Sequence, residues 1–369
     1  MKKTLSILLA TAMLFVLSAC GGGGNGNQTP ANTQAAPENT TTVATEAPPE
    51  DSVSDVPWNI DNIRQQTFLM AHALPATGMT GMQYNEFAVA VGELSGGKMQ
   101  VDQRVGGTLV ADAEAFDAVM IGTIDFTHSL SVLASGTITD LAPVAFPGTY
   151  SGDDWHEFID YTRDLLTEIY AEYGIKYMGA VAQGNSAIVS TERQIHTPAD
   201  IQGLAFRAAG TQMSRLVELW GGSATTIGLA DLPDAMNRGI VQGVATGLQI
   251  IVPFQIYEVA RYVSVTTMNE TFGALAMNGE RWDNLNADEQ ALLTEAGRVF
   301  ERNGLEMAQG FMSTYLEEIE ASGRNEVYHL TYEEQRQFAD AASRLWDQMS
   351  PELGPKGLQL IELLRDLAP

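Results

Sequence analysis

The chain of 369 residues carries 46 Asp and Glu against 20 Lys and Arg, a formal net charge of −26, and is 45% hydrophobic. This balance argues against nucleic acid and against a broad anionic membrane surface as partners, and any anionic ligand needs a local positive site. One cysteine, Cys20, excludes an internal disulfide, so stability has to come from a buried core.

The chain opens with MKKTLSILLATAMLFVLSAC. Lys2 and Lys3 precede an apolar run from Leu5 to Leu17, too short to span a bilayer comfortably and ending in small residues. That pattern predicts a secretory signal over residues 1–20. Its ending, Leu17-Ser18-Ala19-Cys20, resembles the lipobox of bacterial lipoproteins, in which the cysteine is acylated and becomes the new N-terminus. The resemblance implies lipid attachment at Cys20 and a place on the outer face of the bacterial cell membrane. An ordinary signal peptide with an incidental cysteine is the alternative. Residues 21–56 are Gly, Asn, Thr, Ala, Pro and Glu with almost no large apolar side chain, which predicts a flexible low-complexity tether.

Residues 57–369 read as one folded region of about 310 residues, more than one core usually organises, so two lobes are expected. TFLMAHA, residues 67–73, reads as a buried first strand. Met82, Phe87, Val91 and Leu94 give residues 81–94 helical spacing, stopped by Gly96-Gly97, and KMQVDQRV follows as a strand. Residues 111–120 predict a helix, 123–127 a third strand, 156–173 an amphipathic helix and 176–182 a fourth strand. The alternation indicates an α/β fold with a largely parallel sheet. Further on, 211–220 and 232–238 predict helices and 240–245 a strand. Asn286 with Glu289 forms a capping-box pattern that opens a helix of roughly 36 residues and ~54 Å, long enough to span both lobes, with Gly297, Gly304 and Gly310 as places to bend it. Thr331 with Glu334 opens another through Trp346. The first lobe is expected over about 65–182 plus the C-terminal helices, and the second over about 183–285.

Enzyme signatures are missing: no HExxH, no GxSxG, no P-loop, and no GxGxxG after a strand. His72, His128, His156, His196 and His329 are scattered without metal-ligand spacing. We expect no catalytic residues, no cofactor and no metal. Arg207 stands alone in the apolar stretch DIQGLAFRAAGTQM, with Asp200 and Glu218 as its nearest acids in sequence. The residues leave two readings open: an internal acidic partner, or an anion that arrives from outside.

TPADIQGLAFRAAG, residues 197–210, resembles the segment of TRAP-transporter solute-binding proteins that usually reads tPaDlkGlkiRvp. ELSGGKMQVDQRVGGTL, AFDAVMIGTIDFT and LVELWGGSATTIGLADLPDAMNRGIVQGVATG resemble further parts of the same family in the same order, covering about residues 65–350. The resemblance implies a two-lobed periplasmic-binding-protein-like α/β fold with mixed or parallel sheets. It implies an extracytoplasmic lipoprotein that captures an organic acid between its lobes and delivers it to the membrane permease subunits of a TRAP transporter. It also implies that Arg207 takes the ligand carboxylate in a two-pronged salt bridge, a geometry that a guanidinium's parallel donors fit.

Departures from the family pattern shape the expected ligand. The second arginine of sialate-binding members falls on Ala187, the family's ligand asparagine on Thr246 and a site aromatic on Leu229. A site with one cation, a hydroxyl and apolar walls suits a monocarboxylate or a 2-oxo acid, with an aromatic or branched body, better than a sugar acid. His72, Ser129 and Asn185 stand at strand ends, where ligands meet such sheets, and complete the candidate set. Competing readings are a binding lipoprotein of an ABC importer or sensor and, further off, a lipid-anchored hydrolase.

Overall fold

The computed structural model describes residues 57–150, 154–269 and 271–367. Cys20, the leader and the tether expected over residues 1–56 lie outside the described residues. In the first half the elements are β1 (Gln66–Ala71), α1 (Met79–Leu94), β2 (Met99–Arg104), α2 (Asp112–Met120), β3 (Phe126–Leu130), α3 (Ser131–Ala134), α4 (Trp155–Ala171), β4 (Ile175–Val181) and β5 (Asn185–Ser190). Then come β6 (Ala205–Ala208), α5 (Thr211–Leu219), β7 (Ser223–Thr226), α6 (Leu232–Asn237), β8 (Gly243–Gly247), α7 (Leu248–Ile251), α8 (Ile256–Val259) and β9 (Tyr262–Asn269). The last are β10 (Gly273–Asn278), α9 (Gly279–Asp283), α10 (Ala287–Ala321), β11 (Glu326–His329), α11 (Tyr332–Met349) and α12 (Pro355–Leu367).

The strands form two sheets, one of five in the order β2-β1-β3-β10-β4 and one of six in the order β11-β9-β5-β8-β6-β7. In the first, β1 lies parallel to β2 and β3, as helical crossovers through α1 and α2 require. Phe68 and Met70 of β1 are buried, and Phe87 and Val91 of α1 pack into the same core. In α4 the stripe Phe158, Thr162, Leu165, Leu166 and Ile169 is buried, and the helix packs on β4.

Three expectations are corrected by long-range pairing. The third strand begins three residues late, at Phe126, because Asp125 still belongs to the turn. Its amide donates to Leu69 O at 2.8 Å, and its carboxylate accepts from Leu69 N at 2.7 Å. The strand expected at 240–245 is Gly243–Gly247, since the chain is still turning at Gly239, which has φ 68°. The first sheet is mixed rather than largely parallel. β10 inserts between β3 and β4 and runs antiparallel to both.

That insertion also moves the lobe boundary. The chain leaves the first sheet through Ala182–Gly184 and returns to it at β10, before the expected limit near 285. The C-terminal elements are shared between the lobes instead of belonging to the first. β11 joins the six-stranded sheet, α11 packs on α5, and α12 packs on α4.

α10 runs unbroken for 35 residues, about 52 Å at the helical rise. It packs on α1 and β4 of the first lobe and on α7 of the second. Gly297 and Gly304 serve close approach, whereas a Cβ on Gly310 would meet open space. A Cβ on Gly297 would stand 2.2 Å from the Met178 carbonyl oxygen, and one on Gly304 would stand 2.8 Å from Gln83 Oε1. At its N-terminus Asn286 and Glu289 form the expected capping box.

Candidate binding site between the two sheets

A cavity with about 50 Å³ of free space lies between the lobes. A buried water needs roughly 10–15 Å³ of such space, so the cavity accommodates a few waters or a compact solute. The first lobe supplies His128 and Leu130 from β3 and Asp112 from the first turn of α2. The second supplies Arg207 from β6 and Thr246 from β8, with Leu229 from the turn after β7. Gln183 and Thr271 come from the two crossings between the sheets.

Local strand geometry explains Arg207. In AFRA, residues 205–208, alternate side chains face opposite sides of the sheet. Phe206 turns to one side and fills the space over Gly243, where a Cβ would stand 2.6 Å from its ring. Arg207 turns to the other side, is 8% exposed, and lines the cavity. Its Nε donates to the Ile227 carbonyl oxygen at 3.0 Å, which orients the guanidinium plane. Thr246 is buried opposite Ala187 in the β5–β8 ladder, so the small side chain at 187 leaves the neighbouring space open.

Asp112 is half-buried, and neither a hydrogen bond nor an ion pair reaches its carboxylate from the described residues. Burial raises its pKa above the ordinary carboxylate value, and the positive charge of Arg207 acts against that rise. His128 is pushed down to about 3, first by burial and then by His72. Burial pushes His72 down to about 4. Both imidazoles are therefore neutral near pH 7, and His128 offers hydrogen bonds without charge. Its Nε2 lies 3.4 Å from Gln183 Nε2, and Gln183 Oε1 accepts from Gln249 Nε2 at 3.0 Å. Gly273 makes this close pair possible, because a Cβ there would stand 2.4 Å from Gln183 and 2.7 Å from His128.

Of the six side chains expected from sequence to contact ligand, Arg207, Thr246 and Leu229 share the cavity. Ser129 faces the other side of β3, fully buried, with its hydroxyl 2.9 Å from that of Tyr170. The strand's two-residue period puts its neighbour His128 in the cavity wall instead. His72 lies behind the wall against the Tyr84 ring, 4.8 Å between centroids. Asn185 lines a second pocket with Tyr150, Trp155 and Met312, which shares Gln183 with the first. Cys20, the expected site of lipid attachment, lies outside the described residues. Asp112, His128, Gln183 and Thr271 were missed. For His128 the strand period carried the signal once the strand ends were known, and for Gln183 and Thr271 only the crossings reveal it. Among the described residues no group of three His, Cys, Asp or Glu is placed to hold a metal ion.

Two α/β lobes joined by strand crossings, with a buried arginine in the cavity between them, define a solute-binding protein of the periplasmic type. The sequence pattern of bacterial extracellular solute-binding proteins of family 7, the DctP family, matches residues 70–352, and the chain belongs to this family. The C4-dicarboxylate-binding protein DctB of Bacillus subtilis (strain 168) is 22% identical over 319 residues, 82% of this chain and 87% of its own length. A TRAP periplasmic solute-binding protein from Sulfitobacter sp. NAS-14.1, solved with bound β-D-galacturonate, has the same fold. Its TM-score is 0.75 at 20% identity, over 82% of this chain and all of the other. DctP6 of Bordetella pertussis, an extracytoplasmic solute receptor binding pyroglutamic acid, gives 0.74 at 22% identity over 82% of this chain and 100% of its own. These relatives are solute-binding receptors.

Proposed function

We propose that this protein is the extracytoplasmic receptor of a TRAP-type importer, closing on a small organic acid and delivering it to the membrane permease. The observation that carries the reading is Arg207, buried, oriented by Ile227 and lining the cavity between the lobes. A guanidinium held in that way offers a carboxylate charge-assisted hydrogen bonds shielded from water. The family relatives bind acids: DctB is named for C4-dicarboxylates, and the two solved relatives hold galacturonate and pyroglutamic acid. Leu74, Leu130, Val132, Met213, Leu229 and Ile250 make much of the wall apolar, which favours a monocarboxylate with a compact hydrocarbon body over a sugar acid.

The anchoring half of the reading rests on LSAC at residues 17–20 and the composition of residues 21–56. Cys20 carries the lipid, and the following segment tethers a two-lobed domain beginning near residue 57. Labelled fatty acid should enter the wild-type protein and not Cys20→Ser, and equal labelling of both would remove the anchor.

A thermal-shift and calorimetric screen of carboxylates against the full chain tests the binding half. Arg207→Ala should cost the best ligand on the order of 2–5 kcal/mol of affinity, as truncation of one side of a buried charged pair does. Arg207→Lys should also bind more weakly, since an ammonium cannot present parallel donors. Undiminished binding by both variants would reject the assignment of Arg207 to the ligand carboxylate.

A further inference from the structure

A basic pocket lies on the first lobe, away from the cavity between the sheets. β4 is the last strand of its sheet, and beside it α4 and α10 leave a pocket with about 280 Å³ of free space. Arg163 of α4, Lys176 of β4 and Arg298 of α10 line it, and among the described residues no acid does. In a chain with 46 acidic residues against 20 basic ones, three cations on one small concave surface make a local positive site.

The fold satisfies these cations unequally. Arg163 gives Nη1 to Glu301 Oε2 at 2.8 Å. Arg298 reaches Glu295 at 3.4 Å within its own helix, an exposed pair that contributes little. Lys176 is half-buried, and among the described residues its ammonium meets no acid and no hydrogen-bond acceptor. It rests on the face of the Trp282 ring, 4.6 Å from the centroid, while burial works against its charge. Glu301 is taken up elsewhere: beyond Arg163, its Oε1 accepts from Ala180 N at 2.6 Å and from Tyr177 Oη at 3.3 Å. The hydroxyls of Thr167 and Thr294, also in the wall, donate to carbonyl oxygens one turn back, so the donors left to the pocket are the cations.

From three cations on three elements around one pocket, we propose a binding site for a phosphate-type oxyanion, seated on Lys176 and reached by Arg163 and Arg298 from the two helices. A tetrahedral anion presents oxygens in several directions, which suits donors from three elements better than a planar carboxylate or a chloride does. Bound there, it offsets the charge of Lys176 and ties α4, β4 and α10 together. Inorganic phosphate and the phosphate of a lipid headgroup carry the same chemistry.

Titration calorimetry of the full chain with inorganic phosphate, against chloride and acetate at constant ionic strength, tests it. Phosphate should bind saturably and the controls should not, and about a tenfold excess over its dissociation constant should raise the melting temperature by about 2 °C. Lys176→Met removes the half-buried charge, and Arg298→Gln removes an exposed one. Each should weaken phosphate about tenfold or more, and Lys176→Arg should retain it. Without phosphate, Lys176→Met should melt no lower than wild type, because a cation without an acidic partner has been removed. Should it melt far lower, Arg298→Gln carries the test. Sedimentation with phosphatidylglycerol vesicles, against phosphatidylcholine, separates the sources. Vesicle binding that Lys176→Met abolishes assigns the site to a lipid headgroup, and phosphate binding without it assigns the site to the free anion. The proposal is overturned if neither phosphate nor phosphatidylglycerol binds beyond its control, or if binding survives both Lys176→Met and Arg298→Gln. Phosphate binding lost in Arg207→Ala and kept in the pocket variants would place the anion between the lobes and overturn it as well.

Discussion

Glu289 and Asp112 each stand in the first turn of a helix, and each lies under the influence of an arginine, yet their surroundings are opposite. Glu289 at the start of α10 is fully buried on its side chain and saturated with donors. It accepts from Arg64 N at 3.0 Å, Arg64 Nε at 2.8 Å, Gln66 Nε2 at 3.1 Å and Asn286 N at 3.0 Å, and pairs with Arg64 Nη2. Burial works against its charge, but the hydrogen bonds from Arg64 and Asn286 prevail and its pKa is lowered. Asp112 in the cavity has no such set among the described residues, and its pKa is raised. A buried acid whose acceptors are all used fastens the first strand to the long helix. A half-buried acid without such bonds among the described residues ties no element to another. Charge near charge does not by itself separate structure from function; the completeness of the hydrogen bonding does.

The comparison can be broken most readily at Glu289. Glu289→Ala should lower the folding free energy by about 3 kcal/mol, because it strands several donors at once. It should leave the affinity of the best ligand within about a factor of two, being remote from the cavity. Denaturant titration with and without ligand measures both, and a large affinity loss would erase the distinction drawn between the two acids. A smaller effect is expected from pH. Since the Glu289 pKa is lower folded than unfolded, the unfolded chain takes up its proton more readily. Its contribution is complete above the unfolded value of about 4.3 and is lost as pH falls through the lower, folded value. Glu289→Gln should therefore flatten the acid limb of a stability profile, and an unchanged limb would assign that limb to other groups. The smallest effect belongs to Ser129→Ala. Losing the contact with Tyr170 should cost about 1 kcal/mol of stability and nothing measurable in ligand affinity. Weakened binding in that variant would return Ser129 to the site.

Capping boxes and helical spacing were legible in the chain. α10 and α11 begin at the residues that Asn286 with Glu289 and Thr331 with Glu334 mark out. The two-lobed class was legible through the resemblance that TPADIQGLAFRAAG carries, and so was the isolation of Arg207, one cation among apolar and small residues. Ser129 and His128 show where such reading ends. A strand placed at 123–127 instead of Phe126–Leu130 gives no basis for choosing a face, and a shift of one residue exchanges cavity for core.

What the sequence determined by itself is therefore what depends on neighbours within a few residues: helix starts, strand-like runs, and the isolation of Arg207 in its segment. Tertiary structure decided the rest. It set β10 between β3 and β4, moved the lobe boundary, and turned His128 rather than Ser129 toward the cavity. It also brought Asp112 of α2 into the same space as Arg207 of β6. The physical reason is the range of the interactions. A cap or a helical stripe is satisfied within a turn or two, so its partners are written side by side. Sheet order and cavity walls are satisfied by groups far apart in the chain, and nothing in their local spacing states that Asp112 will line one cavity with Arg207.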